Sequence, residues 1–279
     1  MGKLTGKTVL VTGSTDGVGR LVARRLGEAG ARVMIHGRDA ERAARVVADI
    51  ESAGGAATFF RADLASLAEV RRLAAAVQDG TDQLDILINN AGIGTAGHVR
   101  QESADGCELC FAVNYLAGFL LTLLLLPLLR AGQPARIVNV SSAGQQEIDC
   151  TNVMLTCGYS GARAYCQSKL AQVMFTFDLA EKLVGTGITA TCLHPATYMD
   201  TTMVRRAGVT PLSTVEQGAE AILNLAVSPA LEGRSGVYFN GLREARAHPQ
   251  AYDAEARHLL WSLSLKMTGL PDDGPGLTR

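Results

Sequence analysis

The chain has 279 residues, of which 47% are hydrophobic and 19% charged, with a formal net charge of −1. That is enough apolar material for one large α/β core, and a near-neutral chain without a basic stripe excludes a nucleic-acid binder. Six cysteines in so long a chain are too sparse for the disulfide framework of a small secreted domain.

Met1 to Gly6 carries no apolar core, so neither a signal peptide nor a myristoyl anchor is expected. Lys7 to Thr12 is apolar and β-branched and runs into glycines, which predicts a buried strand entering a turn. Helical periodicity follows from Val18 to Ala29 and stops at Gly30. Arg32 to His36 is a second strand, and Asp39 is placed to cap a helix running to about Ala53. Thr58 to Phe60 reads as a short strand, and Ser66 caps a helix through Val77. Leu84 to Asn89 is a fourth strand, and a long helix is expected over about Ser103 to Leu129.

The most apolar part of that helix, Leu116 to Leu129, is shorter than the ~20 residues that span a bilayer and contains Pro127. It reads as a buried helix, so no membrane association is expected, and the default setting is the reducing cytoplasm. Cys107 and Cys110 within it read as small residues of a helix, and no metal site is expected.

Arg136 to Val140 is a fifth strand, followed by a polar loop over about 143–161 and a helix from about Ala162 to Val184. Ile188 to Leu193 is a sixth strand. A Thr- and Met-rich segment reaches Pro211, Thr214 caps another helix, and Gly236 to Asn240 is a last strand. About seven alternations of strand and helix with short connections predict a parallel sheet covered on both faces. With no linker or repeat, 1–279 reads as a single doubly wound Rossmann domain with seven parallel strands. Its core covers about 3–240, and a helical extension covers about 248–270. Leu259, Leu260, Leu263 and Met267 are expected on one side of that tail helix, and the end from Pro271 is expected to be loose.

Gly13, Gly17 and Gly19 lie between the first strand and its helix. Glycine there permits a tight turn and lets backbone N–H groups approach a phosphate at the helix N-terminus. Their G-x-x-x-G-x-G spacing, with Ser14, Thr15, Asp16 and Val18 between them, resembles the short-chain dehydrogenase/reductase family. So do Asp63-Leu64, Asn89-Asn90-Ala91-Gly92, Asn114, Ser141-Ser142 and Tyr165-Cys166-Gln167-Ser168-Lys169, in that order. The long interval from Ser142 to Tyr165 and the tail look most like the retinol-dehydrogenase-like branch.

The resemblance implies a nicotinamide dinucleotide held by the 13–19 turn. It also implies adenine contacts from Asp63 and Leu64, and close passage of Asn90, Ala91 and Gly92. Contacts near the nicotinamide are implied for Pro195, Thr197 and Thr201 or Thr202. Ala196 and Asp200 depart from the family's usual residues there. After the second strand, Gly37-Arg38 replaces the carboxylate that would bind a ribose 2′-hydroxyl. Arg38, assisted by Arg20, can take a 2′-phosphate through its planar fork, so NADP(H) is favoured. Asp16 argues the other way, toward NAD(H).

Tyr165 and Lys169, four apart, project from one helix face. A nearby ammonium and an oxidised nicotinamide would lower the tyrosine pKa from its usual ~10, and Tyr165 would act as general acid or base in hydride transfer. Ser142 is implied to polarise the substrate oxygen. Asn114 is implied to hold a relay water beside Lys169, itself bonded to the nicotinamide ribose. Tyr159 is a decoy without a matching lysine, Cys166 a small filler, and His194 a strand-end residue.

The expected activity is an NADP(H)-dependent carbonyl reductase or alcohol dehydrogenase on a small substrate. The alternatives are a biosynthetic tailoring enzyme using the same site and a cofactor-sensing protein without turnover. Segments 94–102, 145–163 and 198–211 should shape the substrate site, the last as a mobile lid. Ile148, Val153, Met154, Leu155 and Tyr159 are suited to a hydrophobic substrate. The family's usual dimers or tetramers would use the two long helices, with Phe119, Leu123 and Phe175 facing a partner.

Overall fold

The computed structural model describes residues 4–94 and 99–271. Part of the expected 94–102 segment and the end beyond Pro271 therefore lie outside the described residues. Among the described residues, eight strands form one sheet: β1 (Thr8–Val11), β2 (Arg32–Gly37), β3 (Ala56–Arg61), β4 (Ile86–Asn89), β5 (Ala135–Val140), β6 (Ile188–His194), β7 (Val237–Asn240) and β8 (Arg243–Ala245). Their order is β3-β2-β1-β4-β5-β6-β7-β8. All pairings are parallel except β7 with β8. The eighth strand is a correction to the expected seven. Gly241, at φ 59°, reverses the chain tightly enough for Arg243 to pair back onto Asn240.

The helices are α1 (Gly17–Glu28), α2 (Ala40–Ser52), α3 (Leu67–Gly80), α4 (Ala117–Ala131), α5 (Gly161–Lys182), α6 (Thr202–Arg206), α7 (Val215–Val227) and α8 (Ala254–Thr268). The expected caps form. Asp39 accepts from Glu41 N and Arg42 N, Ser66 accepts from Glu69 N, and Thr214 with Gln217 makes a reciprocal capping box. One apolar layer packs α1, α2 and α7 on the sheet, and the other packs α3, α4, α5 and α8. The direction of winding reverses between β1 and β4. Their carboxyl ends open the crevice where such sheets bind ligands.

The long central helix departs from expectation at its start. It begins near Leu109 rather than Ser103, and Phe111–Leu116 is a π-helical turn ahead of α4. The segment 103–107 forms a turn, with Ser103 N donating to Cys107 O. Phe111–Ala131 is 21 residues with mean hydropathy 2.1, long enough to cross a bilayer, but 83% of its most apolar window is buried inside the fold.

The tail docks on the sheet's α4/α5 side. After a 3₁₀ turn at Pro249–Tyr252, α8 buries Leu260, Trp261, Ser264, Leu265 and Thr268. Trp261 packs on Phe119 and Phe175 at ring-centroid distances of 5.1 and 5.8 Å. Tyr115 Oη and Ser264 Oγ share a hydrogen bond of 2.7 Å, and Arg257 is bound by Asp178 and Glu181, each at 2.6 Å. Phe119, Leu123 and Phe175 are therefore core residues and cannot face a partner, contrary to the expectation. Leu259 is also corrected: it is 53% exposed, off the face that docks.

Candidate active site

The phosphate turn is built by contacts that exclude side chains. A Cβ on Gly19 would lie 2.3 Å from Asn90 Nδ2 and 2.4 Å from Gly13 O, and one on Gly13 would lie 2.8 Å from Ala91 Cα. Gly13 and Gly17 also adopt φ 65° and 54°. Asn90 donates from Nδ2 to Thr12 O and Gly13 O, and Thr12 Oγ1 accepts from the N–H groups of Asn90 and Ala91. The first N–H groups of α1 have no intrahelical acceptor and head this turn with the helix dipole behind them. The donor set therefore fits a dinucleotide pyrophosphate.

His36 carries a role that the sequence reading did not anticipate. Its Nδ1 accepts from Gly13 N at 3.1 Å and its Nε2 meets Ala62 O at 3.2 Å, so the ring is neutral with its proton assigned to Nε2. Burial pushes its pKa down to about 4. Its signal in the sequence was a histidine at the end of an otherwise apolar buried strand. The unfolded chain takes up this proton near pH 6.5, so stability should fall as pH drops from about 6.5 toward 4, by at most roughly 3 kcal/mol. Equilibrium denaturation of the wild type and His36→Asn across this window checks it, with the variant expected to lose much of the acid slope.

The ribose end of the turn is lined with guanidinium groups. Gly37 leaves room for the Thr15 side chain, which would sit 2.5 Å from a Cβ there. Thr15, Asp16, Arg20, Arg42, Arg45 and Thr202 line an open recess of about 320 Å³. Arg38 is 69% exposed and touches Asp63 at 3.5 Å, a long surface pairing worth at most about 1 kcal/mol. Arg20 pairs with Asp49 at 2.8 Å. Asp16 accepts from Gly17 N, Arg42 Nη1 and Thr202 Oγ1 at 2.8, 2.9 and 2.8 Å, which together hold its carboxyl below its usual range against the effect of burial. Asp63 accepts from Ala65 N, and Leu64 is buried.

The polar cluster beyond β4 and β5 is assembled from three elements. Tyr165 and Lys169 lie on α5, with Lys169 Nζ 5.8 Å from the Tyr165 ring centroid. Ser142 lies just past β5, where its hydroxyl acts on Tyr165, and its Oγ accepts from Gly144 N at 3.1 Å. Burial nevertheless raises the Tyr165 pKa, outweighing Ser142. The Lys169 ammonium donates to Val140 O and Gln172 Oε1 at 3.0 and 2.9 Å, and its own burial brings its pKa down to about 8.

Gly92 is the close-approach residue of this cluster. A Cβ there would lie 3.3 Å from Asn114 Oδ1 and 3.5 Å from Lys169 Nζ. Asn114 sits in the π-turn, a local widening common at functional sites. Its Oδ1 accepts from Ile93 N, and its Nδ2 donates to Ile93 O and Ser168 Oγ. Those contacts occupy both ends of the amide, so the side chain fixes the chain after β4.

The remaining expected residues gather around the same opening. Ser141 Oγ donates to Lys169 O, which makes it a brace for α5. His194 Nε2 meets Thr197 Oγ1 at 3.0 Å just past Pro195. Thr201 caps α6 and lies beside Gly17, while the Thr202 hydroxyl is committed to Asp16. The 198–211 segment thus lies across the turn, with Met203 against Gly94 and Asp200 paired to Arg205. Of the expected substrate-facing apolar set, Ile148, Val153 and Leu155 are buried packing residues, and Met154 and Tyr159 remain partly exposed.

The dinucleotide turn and the cluster of Ser142, Tyr165 and Lys169 lie together at the carboxyl ends of the central strands. The model of the short chain dehydrogenase family matches residues 7–210. The chain belongs to the short-chain dehydrogenase family. It is 38% identical to human retinol dehydrogenase 13, over 96% of this chain and 86% of that protein. Among solved structures, a protein from Mycobacterium paratuberculosis superposes with TM-score 0.81 at 29% identity, covering 97% of this chain and 96% of that one. The Pseudomonas aeruginosa RhlG/NADP active-site complex does so with TM-score 0.69 at 31% identity, covering 85% and 95%. As a member of this family the chain is an NAD(P)-dependent oxidoreductase acting on alcohols and the corresponding carbonyls.

Proposed function

We propose that this dehydrogenase uses NADP(H) and works chiefly as a reductase of small, largely apolar carbonyl compounds, with Tyr165 as the general acid. The observation that carries the reading is Tyr165 on α5 with the buried Lys169 Nζ 5.8 Å from its ring centroid. Bound nicotinamide would supply or accept the hydride. The 13–19 turn would hold the pyrophosphate, with Asn90, Ala91 and Gly92 shaping the floor and Pro195, Thr197 and Thr201 near the nicotinamide. Ser142 would orient the substrate oxygen toward the Tyr165 hydroxyl, which gives its proton as the alkoxide forms. A tyrosine hydroxyl, with its ordinary pKa near 10, is protonated at neutral pH and can serve as the acid. Asn114 would keep Gly92 and Ile93 close to Lys169.

The NADP(H) choice rests on Arg38, held so weakly by Asp63 that a 2′-phosphate can claim it, and on the guanidinium-lined recess beside Thr15. A charge-assisted bond of this kind is worth about 1.5–3 kcal/mol. Arg38→Asp should therefore shift the NADPH-over-NADH ratio of kcat/KM by about 10- to 100-fold toward NADH. Initial rates with both cofactors on a panel of ketones and aldehydes test the reading. A wild-type preference for NADH, unaltered by the substitution, would overturn the cofactor assignment.

A further inference from the structure

Residues 141–149 leave β5 in neither helix nor strand, so the loop that begins at Ser142 owes its shape to partners elsewhere. Many of those partners come from the C-terminal part of the chain. Ser142 O accepts from Gln145 Nε2 at 2.8 Å and from the buried Tyr238 hydroxyl at 3.2 Å. Gln145 Oε1 in turn accepts from His248 N at 2.9 Å. Further along the loop, Ile148 N donates to Gln250 Oε1 at 2.7 Å, and Ile148 O accepts from Gln250 Nε2 at 2.9 Å. Each carboxamide is thus used at both ends, donating to a carbonyl and accepting from an N–H. A carboxylate or a thioether of the same length could not donate.

The tail is itself fixed on α5. Ala251 has no exposed surface, and its carbonyl accepts from Arg257 Nη1 at 3.2 Å. Arg257 is held by Asp178 of α5. Tyr252 packs on Phe177 of the same helix at a ring-centroid distance of 5.4 Å. His248 Nδ1 accepts from Gln250 N at 3.3 Å, which sets the turn that presents His248 N and the Gln250 side chain to the loop. The helix that carries Tyr165 and Lys169 near one end therefore carries the anchor of the tail near the other. The tail runs from that anchor to the Ser142 loop and ties the serine to α5 by a route other than the sheet.

We infer that the C-terminal extension is part of the active-site machinery, and that Gln145 is the positioning residue through which it sets Ser142, with Gln250 holding the loop beyond. This rests on the role given to Ser142 in the reading above. Gln145 acts through Ser142 and not on the reacting atoms themselves.

The test is a double-mutant cycle between Gln145→Met and Ser142→Ala, with Gln250→Met as a second probe of the tail. Ketone reduction and alcohol oxidation are measured with either nicotinamide cofactor, together with cofactor affinity and amide hydrogen exchange over residues 142–149. Gln145→Met should lower kcat by about 10- to 100-fold, the cost of a misplaced group, with cofactor affinity within a few-fold of the wild type. In the Ser142→Ala background the same change should lower kcat by no more than about 2-fold, because the group it positions is gone. Gln250→Met should also lower kcat, and both glutamine variants should speed exchange over 142–149. Equal losses in both backgrounds would assign Gln145 a purely structural role and overturn the inference. Unchanged exchange, or wild-type turnover by Gln145→Met, would also overturn it; each of these results leaves the reductase reading standing. Wild-type turnover by Ser142→Ala overturns the role of Ser142 and this inference with it. A wild-type enzyme that turns over no ketone or alcohol overturns the reductase reading instead. Faster exchange in the two glutamine variants then still upholds the tail's hold on Ser142, and unchanged exchange overturns both.

Discussion

Replacing Tyr165 with phenylalanine is expected to lower kcat for carbonyl reduction by about 10²- to 10⁴-fold, the usual contribution of a positioned general acid. The ring stays: Gly144 keeps its place near Tyr165 Cε1 and Cys166 Sγ, and the partly buried packing is unchanged. What is lost is the proton donor. Lys169 cannot substitute, because its ammonium is bound to Val140 O and Gln172 Oε1. NADPH affinity should change by no more than a few-fold, since the turn and the guanidinium groups are untouched. Single-turnover kinetics with a separate fluorescence titration of NADPH measure the two effects independently. Wild-type turnover by the phenylalanine enzyme would require the acid to be sought elsewhere in the cluster.

Trp261→Ala is expected to destabilise the fold by about 3–5 kcal/mol, the usual range for removing a buried Trp or Phe side chain. Trp261 is 5% exposed, packed on Phe119 and Phe175, with the Lys182 ammonium 4.7 Å from its ring centroid. Its loss opens a cavity between α8 and the α4/α5 layer, and the surrounding aromatic rings can only partly close it. The variant should also show more self-association in sedimentation velocity, because Phe119 and Phe175 lose their cover and an exposed apolar patch of that size favours association. Denaturant melts give the first effect. A loss below about 1 kcal/mol would mean that α8 packs less tightly than its ring contacts indicate.

Much of the fold was legible because it rests on local patterns. The strands of apolar β-branched residues, the caps at Asp39, Ser66 and Thr214, and the terminating glycines are decided by a few neighbouring side chains. The eighth strand escaped because Arg243–Ala245 has no strand-like composition and exists only by pairing with β7. The π-turn around Asn114 escaped for a similar reason. Its extra residue per turn answers to Ile93 and Ser168, which are remote in sequence.

For the site, the sequence by itself determined which chemical groups are present and in what order: three glycines, Arg38, Ser142, Tyr165 and Lys169. Glycine spacing and an i, i+4 pair are consequences of turn and helix geometry, so one chain can be read for them. The tertiary structure decided how those groups behave. Burial raises Tyr165 and depresses Lys169, His36 becomes a neutral brace for the phosphate turn, and α8 covers the face expected to meet a partner. Those outcomes depend on desolvation and on contacts between residues far apart in the chain, such as Gly13 with His36, Asn114 with Ser168 and Phe119 with Trp261. No local pattern encodes them.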